Sequence, residues 1–320
     1  MKTLTVFTPT FNRADKLPQV FESLMRQTSK DFEWLIIDDG STDNSEAVVS
    51  QFKEKSDFEI RYYWKENGGR HTAVNYSYQF LRTPYVITCD SDDELVNNAV
   101  ELVIKIWASI PENEYDRYWC VTGREINSID MKMVGTPFPE NINLLRGTKK
   151  RKAILRHPGE KHCCRKVDIH KEYLFPVYKD TRFVTENIVW EKINKKYDQY
   201  CVNDVFGIYH MESSDSLSKG KKEYTYERFR SGYYASLFYV DEMFHEILIN
   251  KRVILAFVNL SRCAILTNEP IKVTLSKIKE WYKKIMILGG YPISLVWIKM
   301  HKEKVEKIKK VQVVDEYEKS

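Results

Sequence analysis

The first hundred residues alternate between short runs of β-branched or aromatic residues and longer stretches with helical spacing of apolar positions. The short runs predict four strands, at Leu4 to Thr8, Phe32 to Ile37, Glu59 to Trp64 and Tyr85 to Cys89. The longer stretches predict helices at Leu17 to Thr28, Ser45 to Lys55, Thr72 to Leu81 and Val96 to Ile110. This alternation is typical of a parallel α/β sheet, in which ligands bind at the carboxyl ends of the strands.

The pattern is less regular after the fourth strand. Tyr118 to Gly123 predicts a further strand, and Arg124 to His162 is irregular and loop-rich. The pattern then predicts a helix around Asp168 to Leu174, a turn at Pro176, a helix that begins near Thr185 and a strand near Tyr200 to Ile208. Beyond Ser218 the chain is predicted to be helical.

Polar residues cluster directly after three of the predicted strands. The clusters are Thr8-Pro9-Thr10-Phe11-Asn12-Arg13, Asp38-Asp39-Gly40-Ser41-Thr42-Asp43 and Asp90-Ser91-Asp92-Asp93. Each cluster alone also fits ordinary turn and helix-cap sequence. Because the carboxyl ends of parallel strands meet at one edge of a sheet, we expect the three clusters to converge there, which favours a binding site.

The spacing of Asp90 and Asp92 suits a divalent cation. Two carboxylates at the end of a strand can hold Mg²⁺ or Mn²⁺, since both ions prefer oxygen ligands and complete their shells with water and phosphate oxygens. A cation placed there would neutralise the charge that develops on a departing diphosphate. The sequence therefore predicts Mn²⁺ or Mg²⁺ as the cofactor.

Four segments, in order and spacing, resemble the family 2 inverting glycosyltransferases with the GT-A fold, including those that build bacterial surface and capsular polysaccharides. They are the cluster after the first strand, Ile36-Ile37 with the Asp38 to Asp43 cluster, Glu66-Asn67-Gly68-Gly69-Arg70-His71-Thr72-Ala73-Val74-Asn75, and the Asp90 to Asp93 cluster. The resemblance implies a Rossmann-like, mostly parallel sheet flanked by helices in residues 1–218. Within it, residues 1–110 would be the nucleotide-binding half and residues 111–218 the acceptor half, followed by a helical, basic region at 219–320.

The resemblance also implies roles for individual residues. Thr8, Pro9 and Phe11 would line the nucleotide pocket, and Asp39 would accept hydrogen bonds from the base. Asp92 would be the principal metal ligand, and His210 could reach the metal or the diphosphate. The other residues implied in nucleotide-sugar binding are Asn67, Arg70, Asp90, Ser91 and Asp93. A UDP-sugar is the leading donor because uracil offers an N–H that a carboxylate accepts; other nucleotides stay open.

Inverting transfer requires a general base that takes the proton of the acceptor hydroxyl as it attacks. By the resemblance, Glu186 is the candidate, since it falls where the family commonly has a Glu-Asp pair at the start of a helix. The second acid is replaced here by Asn187. Asp180 and Glu191 are the reserve candidates. The alternative is that Glu186 only stabilises the first turn of a helix.

Composition and charge add information about location. Six cysteines without a C-x-x-C pair predict reduced thiols, and the start of the chain has no signal-peptide pattern, so we expect a cytoplasmic protein. Residues 219–310 carry 19 Lys and Arg but 9 Asp and Glu. This surplus is consistent with a helical appendage that rests on the anionic inner face of the cell membrane, or with a helical subdomain that has a solvated basic face.

Two other function classes are alternatives to a glycosyltransferase. A sugar-phosphate nucleotidyltransferase would be expected to carry a glycine-rich, basic phosphate loop early in the chain, and Thr8 to Arg13 contains no glycine. A non-catalytic nucleotide- or glycan-binding module would be favoured if Glu186 does not face the donor sugar. Nucleic-acid binding is disfavoured because the basic surplus is confined to the C-terminal region. The acceptor is expected to be a glycan or a lipid-linked glycan.

Overall fold

The structure, a computed structural model, describes residues 2–210, 225–244, 252–302 and 305. Residues 211–218, at the end of the predicted catalytic domain, lie outside the described residues. The chain forms two compact units. The first contains Met1–Phe175 and Val189–Lys219, and the second contains Pro176–Ile188 and Gly220–Ser320.

The first unit is built on an eight-stranded mixed sheet with the strand order β3-β2-β1-β4-β7-β6-β8-β5. Strands β1 to β4 pair in parallel, as do β6 and β8, whereas β7 pairs antiparallel with β4 and β6, and β5 with β8. The strands are β1 Leu4–Thr10, β2 Phe32–Asp38, β3 Ile60–Trp64, β4 Tyr85–Thr88, β5 Glu94–Leu95, β6 Tyr118–Asn127, β7 Lys161–Lys166 and β8 Asp198–Tyr209.

Helices flank this sheet. They are α1 Leu17–Met25, α2 Ser45–Lys55, α3 Arg70–Ser77, α4 Ala99–Ser109, α5 Glu112–Tyr115, α6 Gly147–Arg156, α7 Val167–His170 and α8 Asn187–Ile193, with a 3₁₀ helix at Glu140–Leu144. Every residue of β1 and β2 is buried, as expected for central strands covered on both faces. On one face Phe21 of α1 stacks on Phe52 of α2, with their ring centroids 4.3 Å apart. This core fixes where the loops after β1 and β2 begin.

The described C-terminal part of the second unit is mainly helical. Its helices are α9 Tyr226–Asp241, α10 Arg252–Leu266, α11 Ile271–Ser276 and α12 Trp281–Met300. Small residues let α10 and α12 approach closely: the Ser261 hydroxyl donates to the Ile287 carbonyl at 2.8 Å, and a side chain at Gly290 would meet Phe257 at 3.2 Å. No described helix is both long enough and apolar enough to cross a bilayer.

The structure differs from the predicted elements mainly between residues 124 and 174. The segment predicted to be irregular contains the end of β6, a 3₁₀ helix, α6 and the start of β7. The helix predicted around Asp168 to Leu174 is a single four-residue turn. All six cysteines are free thiols, as predicted.

Candidate functional site

The acidic cluster Asp90 to Asp93 follows β4 at the carboxyl edge of the sheet. Arg70, the first residue of α3, donates to the Asp90 carboxylate at 2.8 Å. Both side chains are about 40% exposed, so they lie at the surface of the site rather than in the core. Ser91 is buried, and Asp92 and Asp93 are half-buried. The contact brings the β4 loop and the start of α3 together.

Asp39, at the end of β2, organises the turn that leads into α3. Its carboxylate is buried and accepts from the Lys65 ammonium at 2.6 Å and from the backbone N–H groups of Gly68 and Gly69 at 3.0 and 2.7 Å. Gly69 has a φ of +95°, which side-chain-bearing residues rarely adopt. The turn 65–69 is therefore held to β2 by one carboxylate, which acts as an anchor for the loop containing Asn67.

The loop after β1 is bonded to the loop after β2. The N–H of Asn12 donates to the Ser41 hydroxyl at 2.8 Å, and the Asn12 side-chain oxygen accepts from the Thr42 N–H at 2.8 Å. Beneath this loop, the Thr8 hydroxyl donates to the Cys89 carbonyl at 2.8 Å and accepts from Trp34 at 2.9 Å. Thr8 and Pro9 are buried, whereas the Phe11 ring is 46% exposed. Of the three residues predicted for the pocket, Phe11 offers the exposed surface.

Asp93 has an unusual electrostatic environment. Burial raises its pKa to about 8, and the neighbouring charges of Asp90 and Glu125 act in the same direction. The His210 backbone N–H, which donates to Asp93 at 3.1 Å, opposes the shift. Glu125 is itself paired with the buried imidazole of His162 at 3.0 Å. Asp93 therefore holds a proton more tightly than an ordinary aspartate, and a cation bound nearby would favour loss of that proton to the solvent.

His210 lies at the end of β8, beside the acidic cluster. Its Nε2 is 2.9 Å from Glu94, whose other oxygen accepts from Arg26 at 2.6 Å. A carboxylate on one imidazole nitrogen commonly orients a histidine whose other nitrogen binds a metal. The arrangement leaves Nδ1 as the nitrogen through which His210 could reach a ligand.

The oxygen atoms of the acidic cluster are compatible with Mn²⁺ or Mg²⁺. Within the described residues, Asp92 makes no hydrogen bond or ion pair, so its carboxylate has unused acceptor capacity. No group of three or more His, Cys, Asp and Glu side chains in the described part of the chain is arranged to hold a metal. These ions keep several waters and bind substrate phosphates, so one or two carboxylates suffice when a diphosphate completes the shell.

The three candidate bases lie in different surroundings. Glu186 is half-buried and directly precedes α8, in the segment Pro176–Ile188 of the second unit. Asp180 in the same segment is paired with Arg230, and Glu191 is paired with Arg151 at 2.5 Å. Both reserve candidates are engaged by an arginine. Glu186 stays the first candidate because it directly precedes the helix, where the family resemblance implies the base.

Sequence reasoning missed the residues that support the predicted ones. Lys65 binds Asp39, Glu94 binds His210, and Glu125 with His162 lies behind Asp93. Lys65 and Glu94 stand next to recognised motifs and could have been suspected on that basis. Glu125 lies on β6, in a stretch that contains no motif, and only the sheet pairing brings it near.

Comparison with known proteins identifies the fold and the family. The sequence profile of glycosyl transferase family 2 matches residues 5–165. Over 103 residues, the chain is 36% identical to the poly(ribitol-phosphate) beta-N-acetylglucosaminyltransferase TarP of Staphylococcus aureus (strain N315), and the aligned part covers 32% of each protein. It is 37% identical over 102 residues to an uncharacterized glycosyltransferase of Rickettsia felis, with 32% of this chain and 17% of that protein covered. The chain thus matches under a third of the length of these relatives.

The crystal structure of S. aureus TarS 1–349 in complex with UDP-GlcNAc has the same fold. The TM-score is 0.53 at 14% sequence identity, with 94% of this chain and 92% of that chain covered. The α/β architecture with its flanking helices is therefore of the GT-A type. Since the family profile spans half of the chain and includes the loops after β1, β2 and β4, the chain belongs to glycosyl transferase family 2.

Proposed function

We propose that the protein is an inverting glycosyltransferase that moves a sugar from a UDP-sugar to a hydroxyl group of a glycan or lipid-linked acceptor. The observation that carries the proposal is the joining of three loops at one sheet edge: Asp39 binds the Gly68-Gly69 turn, and Arg70 after that turn binds Asp90. The family membership supports sugar transfer as the reaction. The UDP-GlcNAc bound to TarS favours a UDP-sugar, and TarP is an N-acetylglucosaminyltransferase.

On the nucleotide side, Asp39 keeps the capacity for the predicted contact with a base. A carboxylate has about four lone-pair positions, and the Asp39 oxygens accept from Lys65, Gly68 and Gly69 at 3.0 Å or less. A uracil N–H can use a remaining position. The exposed ring of Phe11 offers a flat surface close to the β1 loop.

Asp92, supported by Asp90 and by Nδ1 of His210, would hold Mn²⁺ or Mg²⁺ next to the donor diphosphate. The bound ion would act as a Lewis acid for the leaving nucleoside diphosphate. Arg70 adds a guanidinium on the same side and lies 2.8 Å from Asp90. The acidic cluster alone would repel a diphosphate, so the cation and Arg70 together account for how an anionic donor binds there.

Glu186 would act as the general base. Its carboxylate would take the proton of the acceptor hydroxyl while the oxygen attacks the anomeric carbon from the side opposite the diphosphate, which inverts the configuration. The replacement of the second acid by Asn187 leaves one carboxylate at this helix start. Asn187 is exposed and can still offer hydrogen bonds to an acceptor.

A thermal-shift screen of UDP-, GDP- and dTDP-sugars, each with and without Mn²⁺, tests the donor and the cofactor together. A UDP-sugar with Mn²⁺ should raise the unfolding midpoint more than either alone, since a ligand that binds only the folded state stabilises it. No stabilisation by any sugar nucleotide, with or without the ion, would rule out the proposal. Stabilisation without any release of UDP would favour the non-catalytic module.

We further propose that the second unit contacts the inner face of the cell membrane through one face of α12. Ser294 and Ile287 lie on the opposite face, which packs inside the unit. The outer face is exposed although it carries large apolar side chains at helical spacing: Trp281, Ile285, Leu288, Leu295, Val296 and Met300. A contiguous apolar surface of this kind indicates an interaction site.

The positive charge around α12 favours an anionic lipid surface as its binding partner. Residues 271–302 contain seven lysines and one glutamate, and the exposed lysines include Lys279, Lys299 and Lys302. A second copy of the same helix would bring lysine against lysine, whereas anionic headgroups attract each of them. Trp281, which is 71% exposed at the start of the helix, suits the boundary between headgroups and acyl chains.

A further inference from the structure

The second unit contains a cluster of charged and aromatic residues that joins its helices to the segment Pro176–Ile188. Arg230 of α9 lies at its centre and is 8% exposed. Its Nε donates to Asp180 at 2.5 Å, and its Nη1 donates to Glu269 at 2.8 Å. One guanidinium therefore binds two carboxylates, one from the segment that carries Glu186 and one from the loop after α10.

Aromatic contacts strengthen the same junction. The ring of Tyr178 stacks on the ring of Tyr234 with centroids 3.5 Å apart and planes 5° apart. The Tyr234 hydroxyl donates to both oxygens of Asp180, at 2.9 and 3.1 Å, and accepts from Arg230 at 3.1 Å. These contacts order the residues on both sides of Asp180. We call Asp180, Arg230, Tyr178, Tyr234 and Glu269 the Arg230 cluster.

The path from the Arg230 cluster to Glu186 is short and structured. Tyr178 and Thr181 form a β-bridge, so Asp180 sits within a tight turn. Thr181 then bonds Phe183 through its hydroxyl at 3.1 Å in both directions, and Val184 is buried. Five residues separate Asp180 from Glu186, and this stretch contains no glycine, so it lacks the composition of a flexible linker.

We propose that Arg230 is a positioning residue for sugar transfer, which holds the segment 176–188 so that Glu186 keeps a fixed place. The proposal rests on the proposed function, with Glu186 as the base. Arginine suits this role because its planar fork can bind two carboxylates at once, whereas lysine offers a single point charge. Misplacing a reacting group by about 1 Å can cost on the order of 100-fold in rate.

The test compares Arg230→Met, Arg230→Lys and Asp180→Asn with Arg262→Met as the matched control. Arg262 lies in the same unit and binds Asn259, and its guanidinium carbon lies 4.5 Å from the ring centroid of Trp297. Neither contact involves the segment 176–188. UDP release from UDP-GlcNAc gives kcat and KM, and calorimetric titration with UDP gives the nucleotide Kd. Circular dichroism melts report folding for each variant.

Arg230→Met and Asp180→Asn should lower kcat by about 10- to 100-fold while the Kd for UDP changes by less than about twofold. Arg230→Lys should recover only part of the loss, and Arg262→Met should keep the wild-type kcat. The acid limb of the kcat–pH profile, which reports the base, should shift in Arg230→Met alone. If Arg230→Met fails to fold, Asp180→Asn carries the test, since it keeps a side chain of similar size and shape. Its acid limb should persist, whereas loss of that limb would make Asp180 itself the base and overturn the positioning role.

Unchanged kcat in folded Arg230→Met or Asp180→Asn would overturn the positioning role alone. A loss of UDP affinity as large as the loss of kcat would also overturn it. The substitution would then affect the whole protein and not only the position of Glu186. Wild-type kcat in Glu186→Ala would overturn the base assignment and the positioning role together. A wild-type protein that binds no nucleotide-sugar would instead overturn the proposed function from which both derive.

Discussion

At the scale of single residues, the roles proposed for Asp92 and Glu186 are separable, and their variants should fail in different ways. Asp92→Asn should lose the Mn²⁺-dependent part of the thermal stabilisation and about 100-fold or more in kcat, because several kcal/mol of leaving-group stabilisation depends on the ion. Metal-independent binding of UDP should persist. Calorimetric titration with UDP, with and without Mn²⁺, measures both. Full Mn²⁺ dependence in Asp92→Asn would show that this carboxylate is not the ligand.

Glu186→Gln keeps the shape of the side chain and removes its basicity. We expect undiminished binding of the UDP-sugar, an intact Mn²⁺ effect and a kcat lowered by about 100- to 10,000-fold, which is the usual contribution of a general base. Comparison of the thermal shift with the rate of UDP release separates the two effects. Glu191→Gln serves as the control, since Glu191 is paired with Arg151. If this control loses more activity than Glu186→Gln, Glu191 and not Glu186 is the general base.

Asp93 predicts a pH dependence of stability. Its folded-state pKa of about 8 lies above the ordinary value of 3.8, so the folded protein binds more protons than the unfolded chain between these values. The stabilisation from this group is complete below about pH 4 and is lost as the pH rises towards 8, at up to about 1.4 kcal/mol per pH unit.

Asp93→Asn removes that contribution and keeps the oxygen that accepts from His210. Urea unfolding of both proteins from pH 5 to 9, in the presence of a chelator, should give a wild-type free energy of unfolding that falls more steeply than that of the variant. The pKa of His162 is lowered by burial and raised by Glu125, and Asp93 raises it further, so the variant also loses this smaller contribution. Parallel curves would mean that Asp93 titrates as an ordinary aspartate.

At the scale of elements, the loop after β2 and the turn before α3 must fit closely. Gly40 has a φ of +90°, and a side chain there would lie 2.8 Å from the backbone nitrogen of Asn67. Gly147 also has a positive φ, of +49°, but a side chain there would meet no atom within 4 Å. A substitution at either glycine strains the backbone because φ is positive, but only at Gly40 does the new side chain also clash with Asn67. Gly147 is therefore a matched control.

Gly40→Ala should therefore destabilise the protein by about 1–3 kcal/mol and raise the Kd for UDP by about tenfold, since the displaced residue belongs to the predicted nucleotide loop. Gly147→Ala should cost about 1 kcal/mol and leave the Kd unchanged. Urea unfolding and titration with UDP measure the two effects. A normal Kd in Gly40→Ala would place Asn67 outside the nucleotide site.

Sequence periodicity predicted the elements that repeat a simple pattern. The four early strands are present within two residues at each end, and α2 has the predicted bounds Ser45–Lys55. Strand β7, Lys161–Lys166, escaped prediction because its sequence is charged at both ends and lacks alternation. It is stabilised by its antiparallel pairing with β4 and β6, and such pairing between distant segments leaves no local signal.

The convergence of the strand-end motifs was predicted from the sequence, because each motif directly follows a strand. Asp39, Arg70 and Asp90 lie in motifs at strand ends, and the structure joins them by hydrogen bonds through the 65–70 turn. Glu125 and Arg230 were not predicted, because each acts through a residue that is distant in sequence. Neither position belongs to a motif, so their contributions follow only from the folded chain.

At the scale of the whole molecule, the division into units departs from the linear order that the sequence suggested. Residues 176–188 were assigned with the acceptor half, yet they belong to the same unit as Gly220–Ser320. The buried guanidinium of Arg230 in α9 explains why, since it binds Asp180. The C-terminal unit is thus more than an appendage, because it contains the segment on which the candidate base lies.

The same unit gives the last prediction, which concerns the exposed face of α12. The full chain should co-sediment with vesicles that contain phosphatidylglycerol and only weakly with pure phosphatidylcholine, and added salt should weaken the binding because lysines contribute to it. Ile285→Glu with Leu288→Glu should reduce the bound fraction by at least tenfold, since each buried apolar side chain contributes about 1.5–3 kcal/mol. Val273→Glu, at an exposed apolar position of α11, is the control and should bind as the wild type does. Binding that the double substitution leaves unchanged would contradict the membrane assignment. So would a wild-type dimer, measured by light scattering, that the same substitution dissociates, because the face would then be covered by a second copy of the chain.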